Sequence, residues 1–206
     1  MSNPDYDRWQ TRFSSTDGYV FGEAPNHFLR AEAGLLPPRG RVLAVADGEG
    51  RNGVWLATQG HQVLSLDFSP AAQAKARRLA ERHGVAPTFV QADVHAWDYP
   101  EAAFDAVVEV FTQFSGPAQR AQKWVGMRQA LRPGGILLVQ GYTPRQLAYG
   151  TGGPRIEENL YTEPMLRAAF GDWEILRLVE EDVEMHEGEG HAGLSAVIGL
   201  VARKPG

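Results

Sequence analysis

The sequence predicts an α/β protein with a doubly wound, mostly parallel sheet. Short apolar runs that end near glycine or aspartate alternate with segments of helical pattern, which is the order of parallel strands joined by crossover helices. The tail departs from this order, because two long strand-like runs at 173–190 and 194–204 are joined by a glycine-rich turn. These runs predict an antiparallel hairpin at one edge of the sheet.

The first half of the chain contains two strand–helix units. The apolar run RVLAVA at 41–46 predicts a buried strand, and 52–59 predicts the helix that follows it. The run QVLSLD at 62–67 predicts a second strand. Ser69 is followed by proline, a typical helix start in which the hydroxyl caps the first turn, so we expect a helix from there to Gly84.

The second half supplies the remaining elements. Three further strands are predicted, at 88–93, 104–111 and 132–142. A loop is expected at 154–162, and Thr162 is expected to cap a helix at 163–170. No repeat or linker interrupts the pattern, so we predict one domain over 1–206.

Composition and charge exclude several classes of function. The formal net charge is -5 and no run of Lys or Arg forms a basic patch, so we expect no nucleic-acid partner. The chain contains no cysteine, which excludes disulfides and thiolate chemistry. The N-terminus is polar, and no stretch approaches the about 20 apolar residues of a membrane span. We therefore expect a soluble cytoplasmic protein without a membrane partner.

The loop GEGRNG after the first strand fits the GxGxxG dinucleotide fingerprint letter for letter. Gly48 and Gly50 lack a Cβ, so the backbone there can bend sharply and approach a ligand. Asp47 precedes them, and an acidic side chain at the mouth of the loop would repel a pyrophosphate. It can instead face a cofactor with an ammonium group and a sulfonium cation, which favours S-adenosylmethionine.

Acidic residues also follow the next strands. Asp67 ends the second strand, about 20 residues after the first glycine, where a carboxylate can accept two ribose hydroxyl groups. Asp93 ends the third strand, where an adenine edge would lie. Glu109 in VVEVF either contacts the cofactor at the fourth strand end or is an edge residue that faces water, and we favour the contact.

The ordered motifs resemble those of class I S-adenosylmethionine-dependent methyltransferases, namely VLAVADGEGRNG, the strand-end Asp67, QAD around Asp93, FDAVVEVF and LRPGGILLV. Within that class, the chain is similar to the tellurite-resistance and thiopurine methyltransferase branch in YVFGEAPNHFL, GGP, LYT and EGEGHAG. The resemblance covers nearly the whole chain. It implies a three-layer α/β/α, Rossmann-like sheet of seven strands with an antiparallel C-terminal strand, and a segment at 1–35 that covers cofactor and substrate.

Two positions depart from the family pattern. Ala46 replaces the glycine that usually opens the cofactor loop, which matters only if that position needs a positive φ. Asp47 stands where many members have a small residue. The motifs and the resemblance together predict the following cofactor contacts: Tyr19, Ala46, Asp47, Gly48, Gly50, Asn52, Asp67, Phe68, Ser69, Asp93, Val94 and Glu109.

The resemblance implies methyl transfer to a small, soft nucleophile, such as a thiol or a chalcogen oxyanion, by in-line displacement. A sulfonium methyl is already activated, so the protein mainly positions the nucleophile and excludes water. No catalytic residue is assigned. The alternative is a catalytically silent module that binds S-adenosylmethionine or a nucleoside and regulates another protein. Neither the methyl acceptor nor the oligomeric state follows from the sequence.

Three residues are candidates for the substrate pocket: Tyr19, Arg155 and His191. Tyr19, with Phe21, either anchors the N-terminal segment or places an aromatic ring near the sulfonium. His191 either orients the nucleophile and accepts its proton or only caps the hairpin. Arg155 is more typical of a surface charge than of an anion clamp.

The tail also carries a group of metal-ligand residue types: His186, Glu187, Glu189 and His191. The glycines between them favour a solvated turn over a metal site. We therefore predict that no metal binds there.

Overall fold

The computed structural model describes residues 4–188 and 190–206. One seven-stranded sheet runs through the chain in the order β3-β2-β1-β4-β5-β7-β6. Its strands are β1 Arg41–Val45, β2 Gln62–Asp67, β3 Thr88–Gln91, β4 Phe104–Val110, β5 Leu131–Tyr142, β6 Glu174–His186 and β7 Ala192–Arg203. The helices are α1 Pro4–Ser14, α2 His27–Glu32, α3 Arg51–Thr58, α4 Pro70–Arg82, α5 Pro117–Ala130, α6 Gln146–Tyr149 and α7 Glu163–Phe170.

The predicted fold class is confirmed. The strands β3, β2, β1, β4 and β5 pair in parallel, whereas β7 pairs antiparallel with both β5 and β6. The long hairpin of β6 and β7 therefore closes one edge of the sheet, as the tail pattern predicts. Among the described residues, none of the helices combines the length and the apolar character that crossing a bilayer requires.

Both faces of the sheet are buried, and β1 shows why its sequence is continuously apolar. Leu43 and Val45 pack into the core on one face, and Val42 and Ala44 pack into the core on the other. All four side chains are at most 2% exposed. Alternation of side chains along a strand places a hydrophobic group on each face, so a doubly covered strand needs no polar position.

Several predicted helix starts are confirmed in detail. The Ser69 hydroxyl accepts from the Ala72 amide at 3.1 Å at the start of α4, and the Thr162 hydroxyl accepts from the Met165 amide at 3.3 Å at the start of α7. Such caps satisfy amide groups that lack a partner within the first helical turn. Composition and spacing therefore located these two helices correctly.

The third strand is shorter than predicted. The expected run was 88–93, whereas β3 is Thr88–Gln91. The carbonyl of Asp93 accepts from the amides of Ala96 and Trp97 at 3.0 and 2.8 Å, so the chain turns directly after the strand. The predicted loop at 154–162 contains one short 3-10 turn, Glu157–Asn159.

Strand register positions the site. Val45 of β1 lies opposite Leu66 of β2 on one side and Glu109 of β4 on the other. The residues that follow these three positions therefore leave the sheet at the same edge. In open parallel sheets, ligands bind outside the carboxyl ends of the strands.

Candidate functional site

A cavity lies at the carboxyl ends of β1, β2 and β4. Its walls come from α1, the loop after β1, the end of β2, the segment after β4, and the turn that joins β6 to β7. Sheet and loop therefore form its floor, and the N-terminal helix and the tail hairpin enclose its sides. Residues 1–3 of the predicted covering segment and Glu189 lie outside the described part of the chain.

The loop after β1 opens with a strained residue. Ala46 has φ +49°, so the position does require the left-handed conformation that favours glycine. Gly48, with φ +56°, also lines the cavity. A Cβ at Gly48 would lie 3.4 Å from the Phe13 ring of α1, so the glycine lets that aromatic ring close over the loop. Ala46, Asp47 and Gly48, three of the predicted cofactor contacts, all line the cavity.

Gly50 serves a different purpose from the predicted one. It directly precedes α3 as its N-cap, with φ +84°, and a Cβ there would lie 2.6 Å from the Cβ of Ala76 in α4. The residue is buried and does not line the cavity. Gly50 therefore permits close packing of two helices, and the structure does not support a cofactor contact. Asn52 does line the cavity, although its side-chain oxygen already accepts from the Asn26 amide at 2.9 Å.

Asp67 lies at the end of β2 and faces the cavity with 3% of its surface exposed. One carboxylate oxygen accepts from the Gly48 amide at 2.9 Å and the other from the Ser69 amide at 2.8 Å. Burial raises the pKa of Asp67 to about 6, partly offset by these hydrogen bonds. Each oxygen keeps a further lone pair, so the arrangement can still accept two hydroxyl groups.

Asp47 also lines the cavity, and two hydrogen bonds hold its carboxylate in place. It accepts from the Gly53 amide at 3.1 Å and from the Ser65 hydroxyl at 2.7 Å. Burial raises the pKa of Asp47 to about 7, although both hydrogen bonds lower it, and the Asp67 charge adds to the rise. Two neighbouring carboxylates in a buried place favour a cationic ligand, because a cation stabilises their ionised forms.

Three other predicted cofactor contacts do not line the cavity. Ser69 is fully buried, where its hydroxyl caps α4 and donates to the Gln10 side chain at 2.7 Å. The Asp93 carboxylate accepts from the His95 amide at 2.9 Å and also pairs with the His95 imidazole. It therefore stabilises the turn after β3. Val94 is 1% exposed and belongs to the hydrophobic core. Phe68, in contrast, lines the cavity and packs against Tyr6.

The structure supports neither of the two predictions for Glu109, which were a cofactor contact and an edge residue that faces water. The residue is fully buried and does not line the cavity. Its carboxylate pairs with the Lys123 ammonium at 2.6 Å and accepts from Trp124 Nε1 at 2.8 Å and the Tyr161 hydroxyl at 3.0 Å. Burial by itself raises the pKa of Glu109, but the Lys123 charge and the hydrogen bonds to the carboxylate together outweigh it, and the pKa lies below its ordinary value. Because Lys123 also donates to the Thr112 carbonyl, the network holds the segment after β4.

Tyr19 and Phe21 lie in different places relative to the cavity. The Tyr19 hydroxyl donates to the Lys75 carbonyl at 3.0 Å, and its ring packs beside Val54 and Leu79, outside the cavity. Tyr19 therefore anchors the N-terminal segment to α4, which is one of the two readings of its sequence position. Phe21 lines the cavity instead.

His191 lines the cavity with 7% of its surface exposed. Its Nδ1 shares a hydrogen bond with the Tyr142 hydroxyl, and its ring centroid lies 4.5 Å from those of Phe21 and Phe111. Phe111 has φ +54°, an unfavourable conformation for a bulky residue. Burial, followed by the Arg51 charge, lowers the pKa of His191 to about 3. The imidazole is therefore neutral at neutral pH.

The tail turn is not the solvated turn that its glycines predict. Glu187 is 8% exposed and pairs with Arg51 at 2.6 Å, and it accepts from the His27 amide at 2.9 Å and the Asn26 side chain at 3.0 Å. This buried carboxylate therefore joins the hairpin to α3 and to the N-terminal segment. His186 is exposed, and in the described part of the chain no group of three His, Cys, Asp or Glu residues could hold a metal ion.

Arg155 is exposed and does not line the cavity, whereas its neighbours Gly153 and Pro154 do. The cavity is also lined by residues that were not predicted, among them Arg8, Trp9, Arg12, Phe13, Phe111, Gln113 and Tyr142. The pairs Arg8–Arg12 and Trp9–Phe13 are each four residues apart, so a helical reading of the N-terminus could have placed each pair on one face.

Comparison with known proteins agrees with this geometry. A methyltransferase domain family matches residues 42–135. The demethylmenaquinone methyltransferase of Thermus thermophilus is 36% identical over 106 residues, which cover 50% of this chain and 48% of that protein. The chain spans about half the length of the curated relatives it matches.

Two solved structures share the fold along nearly the whole chain. One, solved for the conversion of a disulfide bond into a thioacetal group during echinomycin biosynthesis, superposes with a TM-score of 0.81 at 20% identity, covering 98% of this chain and 92% of that one. TehB from Haemophilus influenzae superposes with a TM-score of 0.71 at 20% identity, covering 94% and 65%. At such identities the likeness shows the fold.

The residues present fit the cofactor that this family implies. Asp67 offers hydroxyl acceptors at the end of β2, and the absent side chain of Gly48 leaves backbone accessible in the cavity. Trp9 and Phe21 supply ring faces that can stabilise a sulfonium cation. Residues 42–135 therefore match a methyltransferase domain, and the sheet shares its fold with solved S-adenosylmethionine-dependent methyltransferases.

Proposed function

We propose that this protein transfers a methyl group from S-adenosylmethionine to a small molecule inside the cavity. One observation carries the proposal: Asp67 and Gly48, from two neighbouring strand ends, are joined by a hydrogen bond of 2.9 Å and face the same cavity, which α1 and the tail hairpin enclose. We further propose that residues 1–206 act as one domain, in which the segment 1–35 covers the site.

Different residues of the chain bind different parts of the cofactor. Asp67 holds the ribose hydroxyls, and Ala46, Asp47 and Gly48 present the loop against the methionine portion. When bound, S-adenosylmethionine supplies a methyl group that its sulfonium already activates. Phe21 and Trp9 cover the reacting centre and exclude water, which favours an in-line displacement between positioned groups.

A soft nucleophile, such as a thiol or a chalcogen oxyanion, remains our proposal for the acceptor. With a pKa of about 3, His191 is too weak a base to activate an alcohol, so we assign it an orienting role beside the acceptor. Thiocyanate methyltransferase 1 of Arabidopsis thaliana, 30% identical over 141 residues, is named for a soft sulfur substrate. The likeness to TehB is a weaker support for the tellurite-resistance branch.

The enclosed cavity favours a small acceptor over a macromolecule. The names of other curated relatives include a ribosomal protein and a ribosomal RNA as substrates, so homology alone does not choose the class. The aromatic walls formed by Trp9, Phe13, Phe21, Phe111 and Phe114 suit a compact organic or inorganic group.

Calorimetry with S-adenosylhomocysteine and with NAD tests the cofactor. We expect micromolar binding of the first and none of the second. Asp67→Asn should weaken S-adenosylhomocysteine binding by about 1.5–3 kcal/mol, because a charged acceptor of ribose hydroxyls is lost. Asp93→Asn is the matched control, since Asp93 follows the next strand but does not line the cavity, and should bind as the wild type does.

Labelled S-adenosylmethionine, screened against thiols and chalcogen oxyanions, tests the transfer. Incorporation of label into a thiol or an oxyanion supports the proposal. Tight NAD binding, or wild-type affinity in Asp67→Asn, would contradict the cofactor assignment. Cofactor binding without transfer to any acceptor would favour a catalytically silent binding module.

A further inference from the structure

Tyr142 is the last residue of β5, and its backbone is fixed on both sides. Its amide donates to Gln113 Oε1 at 2.6 Å, and its carbonyl accepts from Gln113 Nε2 at 2.8 Å. The same carbonyl also accepts from the Tyr161 amide at 2.9 Å. The Tyr142 side chain is buried and lines the cavity. Because the backbone is held so closely, the hydroxyl has one position, beside His191 Nδ1.

His191 is held as firmly on the other side of this hydrogen bond. Its carbonyl accepts from the Glu187 amide at 2.9 Å, which closes the turn between β6 and β7. The rings of Phe21 and Phe111 pack against the imidazole, each with its centroid at 4.5 Å from that of His191. The imidazole therefore keeps one orientation, in which Nδ1 faces the Tyr142 hydroxyl.

The two glycines of the GGP motif cover the Tyr142 side chain. A Cβ at Gly152 would lie 2.6 Å from Tyr142 Oη, and one at Gly153 would lie 2.7 Å from the ring carbon Cδ2. The Cβ position at Gly152 is also 3.3 Å from the Gly190 carbonyl oxygen, so the loop and the tail turn meet beside the tyrosine ring. A side chain at either position of the loop would collide with the tyrosine. The glycines thus allow the backbone to enclose the hydroxyl.

The direction of the hydrogen bond between Tyr142 and His191 decides which ring nitrogen carries a proton. Burial raises the pKa of Tyr142 above its ordinary value, so the phenol keeps its proton. In the part of the chain that the structure describes, His191 Nδ1 is the one hydrogen-bond partner of this hydroxyl. If Nδ1 carried the imidazole proton, the buried phenolic O–H would have no acceptor, an arrangement that native structures avoid. The hydroxyl therefore donates to Nδ1, and the single proton of the neutral imidazole lies on Nε2.

The Nε2 edge of the His191 ring is the edge that the cavity reaches. Within residues 4–188 and 190–206, Nε2 has no hydrogen-bond partner, and it is not among the fully buried polar atoms. His191 lines the cavity, so an N–H donor is available there to a ligand. The other ring nitrogen cannot remove a proton from a ligand, because it already accepts from Tyr142.

We propose that Tyr142 is a positioning residue that fixes His191 in the Nε2–H tautomer, and that this N–H donates a hydrogen bond to the nucleophilic atom of the methyl acceptor. The inference rests on the proposed function and deepens it. Because the imidazole has no lone pair free to take up a proton, the acceptor enters as an ionised thiolate or oxyanion.

A hydrogen bond to one lone pair of the nucleophile leaves another lone pair directed at the methyl carbon. That lone pair forms the new bond to carbon, and the bond from the carbon to the sulfonium breaks with its electron pair left on sulfur. No proton is transferred in this step. The His191 N–H thus orients the nucleophile for in-line displacement, and Tyr142 keeps that N–H in place.

Nitrogen NMR on protein with isotope-labelled histidine, saturated with S-adenosylhomocysteine, measures the tautomer. The His191 signals are identified by their loss in His191→Gln. In the wild type, Nε2 should be protonated and Nδ1 should not. Tyr142→Phe, which keeps the ring but removes the hydroxyl, should produce a measurable fraction of the Nδ1–H form. Tyr149→Phe is the matched control, because that hydroxyl donates to Asp182 at 3.1 Å outside the cavity, and it should give the wild-type spectrum.

A wild-type imidazole protonated on Nδ1 would overturn the inference, and so would a Tyr142→Phe variant whose Nδ1 stays fully unprotonated. The wild-type measurement decides the first point even if that variant does not fold. Failure of wild-type protein to bind S-adenosylhomocysteine would instead contradict the proposed function, because the tautomer can also be measured on the free protein.

Two aryl sulfur probes test the donated hydrogen bond in protein saturated with S-adenosylhomocysteine. They are para-nitrothiophenol, which is ionised at neutral pH, and its methylated form, para-nitrothioanisole. His191→Leu, which removes the donor, should weaken binding of the thiolate at least about tenfold, as expected for a lost hydrogen bond to a charged group, and should change binding of the thioanisole far less. His191→Gln retains a side-chain N–H and should recover part of the affinity for the thiolate. Equal losses for the two probes in His191→Leu, or no binding of the thiolate to the wild type, overturn the inference.

Discussion

His191 stacks against Phe21 with ring centroids 4.5 Å apart and planes inclined by 28°. This contact keeps water from the imidazole, and burial lowers the pKa of His191 to about 3. We expect NMR to show an imidazole that stays neutral from pH 8 to pH 5. Phe21→Leu, which opens the stack to water, should move the pKa upward. An inflection for wild-type His191 near pH 6.5 would contradict this account.

The His191 imidazole also predicts how the stability of the folded protein changes with pH. The folded-state pKa of His191 lies below its ordinary value of 6.5, so unfolding takes up a proton at lower pH. The contribution of His191 is therefore present above about pH 6.5 and is lost as the pH falls toward 3. The difference in Tm between wild type and His191→Gln, measured from pH 7 to pH 5, should change in this sense.

Asp67 predicts that cofactor affinity depends on pH. Burial raises its pKa to about 6 in the free protein, and the ionised form is the better acceptor for ribose hydroxyls. Binding of S-adenosylhomocysteine should therefore strengthen as the pH rises from 5 to 8, and it should weaken by up to about tenfold per pH unit below 6. Calorimetry on wild type and Asp67→Asn checks this, because the variant should lose that part of the dependence.

Asp67 should affect the stability of the cofactor-free protein in the opposite direction to its effect on cofactor affinity. Its contribution to stability should decrease as the pH rises. Its folded-state pKa is raised, so its contribution is fully present below the ordinary carboxyl value of 3.8 and is lost as the pH rises through about 6. The two hydrogen bonds from Gly48 and Ser69 also mean that Asp67→Ala lowers the Tm without cofactor. A Tm unaffected by that substitution would show that these two bonds do not stabilise the loop.

Ala46→Gly should stabilise the protein. Ala46 has φ +49°, a conformation that costs an alanine roughly 1–2 kcal/mol, whereas glycine adopts it freely and loses about 0.5–1 kcal/mol in chain entropy. We expect a net gain of about 0.5–1 kcal/mol in the free energy of unfolding, measured by urea denaturation without cofactor. Ala44→Gly, inside β1, is the control and should destabilise. A loss in both variants would argue against strain at position 46.

Gly50→Ala should destabilise the protein by about 2–4 kcal/mol, because a Cβ would lie 2.6 Å from Ala76 and the residue has φ +84°. Gly84→Ala separates the two causes. Gly84 has φ +65° but no atom within 4 Å of its Cβ position, so its substitution introduces backbone strain alone and should cost about 1–2 kcal/mol. Equal losses at the two positions in urea denaturation would show that α3–α4 packing is not the reason for Gly50.

Glu109→Gln should lower the free energy of unfolding by about 3–5 kcal/mol, because it leaves the Lys123 ammonium buried without its counter-charge. Its carboxylate lies outside the cavity, so folded protein should bind S-adenosylhomocysteine with little change. Denaturation and calorimetry on the same sample test both halves. A large loss of affinity in fully folded protein would return Glu109 to the cofactor site.

The sheet, its hairpin edge and the starts of α4 and α7 could be predicted from the sequence because their causes are local. Ser69 and Thr162 cap helices through atoms only three residues away. The apolar run of β1 reports burial on both faces, and the strand-end position of Asp67 follows directly from the strand that precedes it. These features depend on spacing along the chain, which a sequence displays.

Only the tertiary structure decided which strand-end residues face the cavity and which bind a partner side chain outside it. Glu109 and Asp93 share the pattern of Asp67, yet Lys123 neutralises the first and His95 engages the second. The partner of the buried Glu187 is likewise remote in sequence, since Arg51 belongs to α3. Whether a carboxylate faces a ligand or a buried cation depends on side chains brought together by folding, and one sequence carries no record of those distances.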